Sequence, residues 1–463
     1  MNKKILLTVA MSIGIFLVML DTTIMNIALP AIQKGLQIDL TKLSWALNVY
    51  TIIFASLTIP LSKLGDIFGK NRLFLLGLFL FGLGSFMAGI ATSFLILIVG
   101  RVISSLGAAL LLPLGNTIGL SAWKIEDRFK IVAILGLTQG GAAAIGPTLG
   151  GILTDSFNWH WIFLINLPLV VLGLILCLTT LNFKHEEKRK EKVDFSGSLL
   201  SMLSLFFITL GLIKVREWGV VDVRFMICVF IGVVLFALFV LIEKKVAFPM
   251  IDLQLFKNKN FSLSALVALL AQFFYIGVVV ILPTYLTNVF HQSELQAALI
   301  LLPMSITVFI FGGLGSLAIH KLGPRLLVFI GIMCILIAYL FLANFNGQTK
   351  NLLSLVLFIL GIGFGIISGP INVLAATNLQ GTLLTSSQSI ISVVRQIGSI
   401  LGVSFFVSNM TGNLTALKTF TFSKINHAYL SIYQIWLPVL ALLLLIALAY
   451  PKKSDYSNDA TIE

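Results

Sequence analysis

Two charged side chains stand inside stretches that are otherwise apolar. The run FLVMLDTTIMNIALP (16–30) carries Asp21 near its middle, and RVISSLGAA (101–109) brings Arg101 into a second apolar run. An ionisable group in hydrocarbon costs several kcal/mol, so such residues usually have a task and a partner. At 1.5 Å per helical residue, Asp21 lies roughly 13 Å from the outer end of its run and Arg101 roughly 10 Å inside its own. Similar depths make them candidate partners. Burial disfavours a charged carboxyl and a neighbouring guanidinium restores it, so an acid with such a partner can exchange a proton as its surroundings change. The bland alternative is a static pair joining two helices, but buried pairs stabilise poorly.

The elements that must hold these groups are set by composition. Of 463 residues 58% are hydrophobic and 11% charged, where a soluble chain would carry roughly 25% charged residues. Apolar stretches of about twenty residues recur along nearly the whole chain, the length that spans a hydrocarbon core of roughly 30 Å. Spans are expected at 5–29, 43–62, 73–93, 95–120, 131–153, 160–181, 196–213, 225–242, 262–287, 296–319, 326–344, 352–375, 389–409 and 430–450. The N-terminus begins like a signal peptide, but its apolar part is too long and no small-residue cleavage site follows it. It reads as the first span.

The net charge of +13 comes from basic residues in short segments between apolar runs. Most fall in alternate segments, which by the positive-inside rule places both termini in the cytoplasm and makes a nucleic-acid surface unnecessary. The charged loop NFKHEEKRKEKVD (182–194) and the segment 243–260 bracket two spans without charge in the membrane. The division is then 1–181, a six-span bundle; 182–260, loops with two extra spans; 261–450, a second six-span bundle; and 451–463, a cytoplasmic tail. SKLGDIFGKNR (62–72) is loosely echoed by SLAIHKLGPR (316–325). Parallel halves of six spans are a transporter arrangement with the substrate near the midplane.

Several stretches carry a family resemblance. LDTTIMNIALP (20–30), SKLGDIFGKNR, RVISSLGAA, GPTLGG (146–151), WHWIFLINLP (159–168), LPTYLTNVFHQSELQAALILLP (282–303) and RQIGSILG (395–402) follow one another at matching spans. Together they resemble the major facilitator superfamily, and within it the fourteen-span drug:proton antiporters, over essentially the whole chain. Ser62 stands where the loop motif usually has glycine, and Ser104 and Ser105 replace the usual Gln and Gly of the fourth-span motif. The resemblance implies an all-α polytopic fold of two six-helix halves plus two extra helices. It also implies export of drugs or other amphiphilic compounds in exchange for protons by alternating access, with Asp21 and Arg101 in proton coupling. Asp66 would then latch the cytoplasmic face by capping a helix near TSSQS (385–389), with Gly69 and Arg72 shaping its loop. The bland reading of that loop is a topology signal.

The small-residue run around Gly146, Pro147, Gly150 and Gly151, with FGGLGS (311–316), is expected to let spans slide or rock where the halves meet; Pro147 removes a backbone hydrogen bond. Plain tight packing is the alternative. Substrate contacts are sought among Asn26, Trp45, Asn48, Tyr50, Gln272, Phe274, Tyr275, Arg395 and Gln396, although aromatic packing or bilayer contact would explain many of them.

Other classes find little support. Five histidines sit at span ends or in loops without metal spacing, and three cysteines lie singly in apolar runs. No P-loop, nucleophile elbow or long soluble segment occurs. The expectation is therefore a non-enzymatic, cofactor-free and metal-free protein of a bacterial cell membrane, working as a monomer. Its partners are the bilayer, protons and a small amphiphile, with no nucleic acid. With Asp21 the only acid well inside a span, monocations, zwitterions or neutral lipophiles suit it better than dications. Transport of an endogenous lipid, metabolite or peptide fragment is the competing function, since a fold does not fix a substrate.

Overall fold

The computed structural model describes residues 3–451, apart from 39, 125–126, 185, 187–193, 220, 247–248, 250, 293, 346–349, 378, 416 and 418–420. The described regular structure is helical. The helices are α1 (Lys3–Leu36), α2 (Leu40–Phe68), α3 (Lys70–Gly89), α4 (Phe94–Ser121), α5 (Arg128–Ser156), α6 (Trp161–Leu164), α7 (Asn166–Thr180) and α8 (Phe195–Trp218). They continue with α9 (Val223–Glu243), α10 (Lys259–Phe290), α11 (Glu294–Leu322), α12 (Pro324–Ala343), α13 (Lys350–Ala375), α14 (Gly381–Thr415), α15 (Phe422–Ile435) and α16 (Leu437–Ala447).

Thirteen helical stretches among the described residues are long and apolar enough to cross a membrane. They fall at thirteen of the fourteen expected positions. The remaining one, 131–153, lies within α5, a helix of 29 residues that is not among the thirteen. Boundaries moved where apolarity is a poor guide. α1 continues past the expected end at 29 to Leu36, and α14 starts at Gly381 rather than 389, because polar residues can extend a helix beyond the hydrocarbon. Acids supply several helix starts. Asp194 accepts from Gly197 N at 2.9 Å and Asp222 from Arg224 N at 2.7 Å, each satisfying an otherwise unpaired N–H.

The chain forms two compact units. Unit 1 comprises Met1–Ile131, Ile145–Asn258 and Asn378–Val393; unit 2 comprises Val132–Ala144, Lys259–Thr377 and Val394–Glu463. Both α5 and α14 are therefore shared between units. In unit 1, α3 and α4 approach at backbone distance: a Cβ on Gly100 would lie 2.7 Å from Ala88 N. In unit 2, α12 and α13 do the same, since a Cβ on Gly331 would lie 2.8 Å from Gly363 O. The loop echo noticed in the sequence has a matching geometry. Gly69 (φ +111°) precedes α3 and Gly323 (φ +80°) precedes α12, a backbone region that favours glycine.

A second internal echo escaped the sequence reading. IFLINLP (162–168) and IYQIWLP (432–438) both sit at a one-residue break, at Ile165 between α6 and α7 and at Trp436 between α15 and α16. Pro168 and Pro438 cause it, because proline lacks the N–H and clashes with the carbonyl four residues earlier.

Candidate transport site

Within unit 1, α1 and α4 bring Asp21 and Arg101 together. Arg101 Nη1 donates to Asp21 Oδ2 at 2.6 Å, with the two side chains 1% and 0% exposed respectively. Arg101 Nε also donates to Ala46 O at 3.3 Å, and its guanidinium lies 4.2 Å from the Tyr50 ring centroid. The Phe163 ring is 5.8 Å away on another side. Ser105, where the fourth-span motif usually has glycine, donates to Tyr50 O at 2.6 Å. The guanidinium is thus sandwiched among α1, α2 and α6. Asp21 Oδ1 is buried and has no hydrogen-bond partner among the described residues. A carboxylate paired through one oxygen keeps an acceptor position to spare on the other.

A second polar group joins α2 to the start of α14. Asp66 Oδ1 accepts from Thr385 Oγ1 at 3.0 Å and lies 3.2 Å from Lys70 Nζ. Lys70 also donates to Gly381 O at 3.3 Å, and Ser389 Oγ donates to Ser62 Oγ at 2.6 Å. The contact of Asp66 is to a hydroxyl in the second turn of α14, not to the backbone N–H groups of a helix cap. Arg128, which the sequence reading passed over, donates to Leu379 O at 2.9 Å. Gly69 and Arg72 meet a residue that was also missed. Glu186 accepts from Asn71 N, and its other oxygen is 3.8 Å from Arg72 Nε. Nothing in the spacing of residues 182–194 marks Glu186 out from its charged neighbours.

The small-residue run divides its contacts. In unit 1, a Cβ on Gly146 would strike Thr23 and one on Gly150 would lie 3.0 Å from Ile24, whereas Gly151 has nothing within 4 Å. In unit 2, a Cβ on Gly140 would lie 2.7 Å from Phe309 Cα, so α5 meets FGGLGS-bearing α11 at backbone distance. The side chains of Pro147 and Asn26 lie outside the described residues.

The remaining candidates separate into packing residues and half-buried ones. Trp45 carries Lys214 Nζ 4.5 Å from its ring centroid, and Lys214 is bonded to Glu217 at 2.6 Å, which fastens α8 to α2. Phe274 is buried in an aromatic cluster with Tyr339 and Trp436, and its carbonyl accepts from Tyr339 at 2.6 Å. Tyr275 stacks on Phe364 with centroids 4.2 Å apart and planes 17° apart. Arg395 donates to Ser368 O at 3.0 Å. Asn48, Gln272 and Gln396 are half-buried.

A chain whose described residues form helices, thirteen of them long and apolar enough to cross a membrane and some bearing buried charges, is a multi-pass membrane protein. The family model described as Major Facilitator Superfamily matches residues 11–403, and the chain belongs to that superfamily. It is a transporter of small molecules, not an enzyme. Multidrug resistance protein 3 of Bacillus subtilis (strain 168) is 30% identical over 90% of this chain and 80% of its own. The riboflavin transporter RibZ of Clostridioides difficile (strain 630) is 26% identical over 99% of this chain and 100% of its own. Among solved structures, the proton:xylose symporter XylE matches with a TM-score of 0.67 at 13% identity, covering 99% of each chain. That last likeness is one of fold alone.

Proposed function

We propose that the protein exports amphiphilic toxic compounds across a bacterial cytoplasmic membrane in exchange for protons, by alternating access between two six-span halves with both termini inside. The observation that carries this reading is the buried Asp21–Arg101 pair, whose carboxylate keeps one oxygen without a partner among the described residues. Oδ1 of Asp21 takes the proton. The neutral acid holds Arg101 less strongly, and the guanidinium then rests on Ala46 O and the Tyr50 ring. Proton loss restores the pair. Two states of the helix contacts around Arg101 are thereby tied to one proton, which a static pair would not need. The relative named for multidrug resistance supports drugs as cargo.

The test uses the full chain in proteoliposomes with an imposed pH gradient and a zwitterionic dye such as rhodamine B. Asp21→Asn should abolish gradient-driven accumulation while downhill equilibration survives. Accumulation at the wild-type rate would refute the assignment. In the same reading, the Asp66–Thr385 contact latches the cytoplasmic side. Asp66→Asn should slow transport severalfold at normal expression and lengthen spin–spin distances across that face; unchanged distances with and without substrate would remove the latch.

A second reading, transport of an endogenous solute, is favoured by the full-length match to the riboflavin transporter. Riboflavin and a drug panel, compared in the same liposomes, separate the two.

A further inference from the structure

The charges inside the membrane do not balance in the same way throughout the chain. In unit 1, Asp21 and Arg101 neutralise each other. Unit 2 has a single acidic residue before position 452, Glu294, at the first position of α11. Yet α14 carries Arg395 about 21 Å along its axis from Gly381, well inside the span. A guanidinium has five N–H donors, and the contact made by Arg395 among the described residues is one bond, to Ser368 O at 3.0 Å. No described acid lies within ion-pair distance of it. A charge left so in hydrocarbon would cost several kcal/mol, which makes an intramembrane cation a marker of a cavity and a ligand.

Its surroundings indicate which ligand. Ser368 sits one helical turn from Phe364 on α13, and Phe364 stacks on Tyr275 of α10. Three helices of one unit, α10, α13 and α14, thus set a half-buried cation about one turn, roughly 6 Å, from a flat aromatic pair. Guanidinium forks prefer carboxylates and similar planar acids, held by two parallel hydrogen bonds. Aromatic faces prefer other rings, stacked or edge-on.

We propose that Arg395 sets the charge preference of the transporter. It selects substrates that carry an acidic group on an aromatic body, the acid on the guanidinium and the ring beside Tyr275 and Phe364. The transported acid completes the ion pair that the described residues of unit 2 do not supply. This rests on the exporter reading for the direction of movement, but not for binding.

The experiment measures binding to the full chain in nanodiscs by fluorescence anisotropy, corrected against empty discs. The probes are fluorescein and fluorescein methyl ester, which differ by the carboxylate. Wild type should prefer the acid about tenfold or more, the usual worth of a charge-assisted pair. In Arg395→Gln the ratio should fall to about one, and Arg395→Lys should recover part of it. A wild-type ratio near one, or a ratio that survives Arg395→Gln, overturns the proposal. If Arg395→Gln does not fold, Arg395→Lys decides: a reduced ratio supports the proposal and an unchanged one overturns it. Energised uptake of fluorescein into inverted vesicles is scored separately. Absent uptake with an intact binding ratio counts against export alone.

Discussion

The two units share an outline and differ in how they treat polarity. Each opens a helix after a left-handed glycine, Gly69 or Gly323, and each breaks a span, at Ile165 or Trp436, two or three residues before a proline. At the bend of unit 1 stands Asn166, which donates to Ser85 Oγ at 3.3 Å; at the corresponding place in unit 2 stands Trp436, packed 4.6 Å from Phe273 and 6.2 Å from Phe406. Unit 1 spends its interior on a neutralised ion pair and hydroxyl bonds. Unit 2 is held by rings, which need no partner of opposite charge, and its one deep cation meets no acid among the described residues. The same scaffold thus supports an internally paired charge in one place and an unpaired one in the other.

This contrast breaks most easily through stability. Arg101→Gln should strand Asp21 and cost about 3–5 kcal/mol, while Asp21→Asn with Arg101→Gln should recover most of that loss. Denaturant unfolding in detergent reads both. A single variant no less stable than the double one would mean the pair is not the organising contact of unit 1. Arg395→Gln sharpens the comparison from the other side. It leaves no acid behind and gives up one hydrogen bond, so its cost should be about 1 kcal/mol. A loss as large as that of Arg101→Gln would show a hidden acidic partner.

The smallest effect belongs to a pair outside the membrane interior. Hydrogen bonds from the Arg224 side chain and N–H hold the Asp222 carboxyl below the usual carboxylate range. Its contribution is therefore present above the unfolded value, about 3.9, and fades as pH falls through the lower folded value. Asp222→Asn should flatten that part of the acid-unfolding curve only slightly, because the group is exposed and screened. A change as large as that of the Arg101 variant would contradict the view that only interior pairs matter.

Much of this was legible beforehand. Spans follow from runs of apolar residues long enough to cross a bilayer, and thirteen stand where the sequence put them. The meeting of Asp21 with Arg101 followed from depth, since two charges at one level in neighbouring spans have few alternatives. Trp45 was different. Its ring suits a pocket by sequence, yet in the fold it holds Lys214, one of the basic residues that lie between apolar runs. Lys214 is far away in the chain, and hydropathy carries no record of which helices touch. Arg128 and Glu186 were lost for the same reason, as members of charged segments whose individual contacts depend on where a distant loop arrives. Periodicity reports the side of a helix that is buried, not the group that meets it.

The composition of unit 1 also sets a timetable. Asp66 and Thr385 are 319 residues apart in the chain, so at a synthesis rate of about 5–20 residues per second the acid waits roughly 15–60 s for its hydroxyl. Ser62 and Arg128 wait alongside it for Ser389 and Leu379. During that interval the polar groups at these ends of α2 and α5 must be satisfied by water, headgroups or the insertion machinery. The first half of the protein is made early and completed late, and a ribosome stalled before α14 would leave behind a bundle with its polar end open.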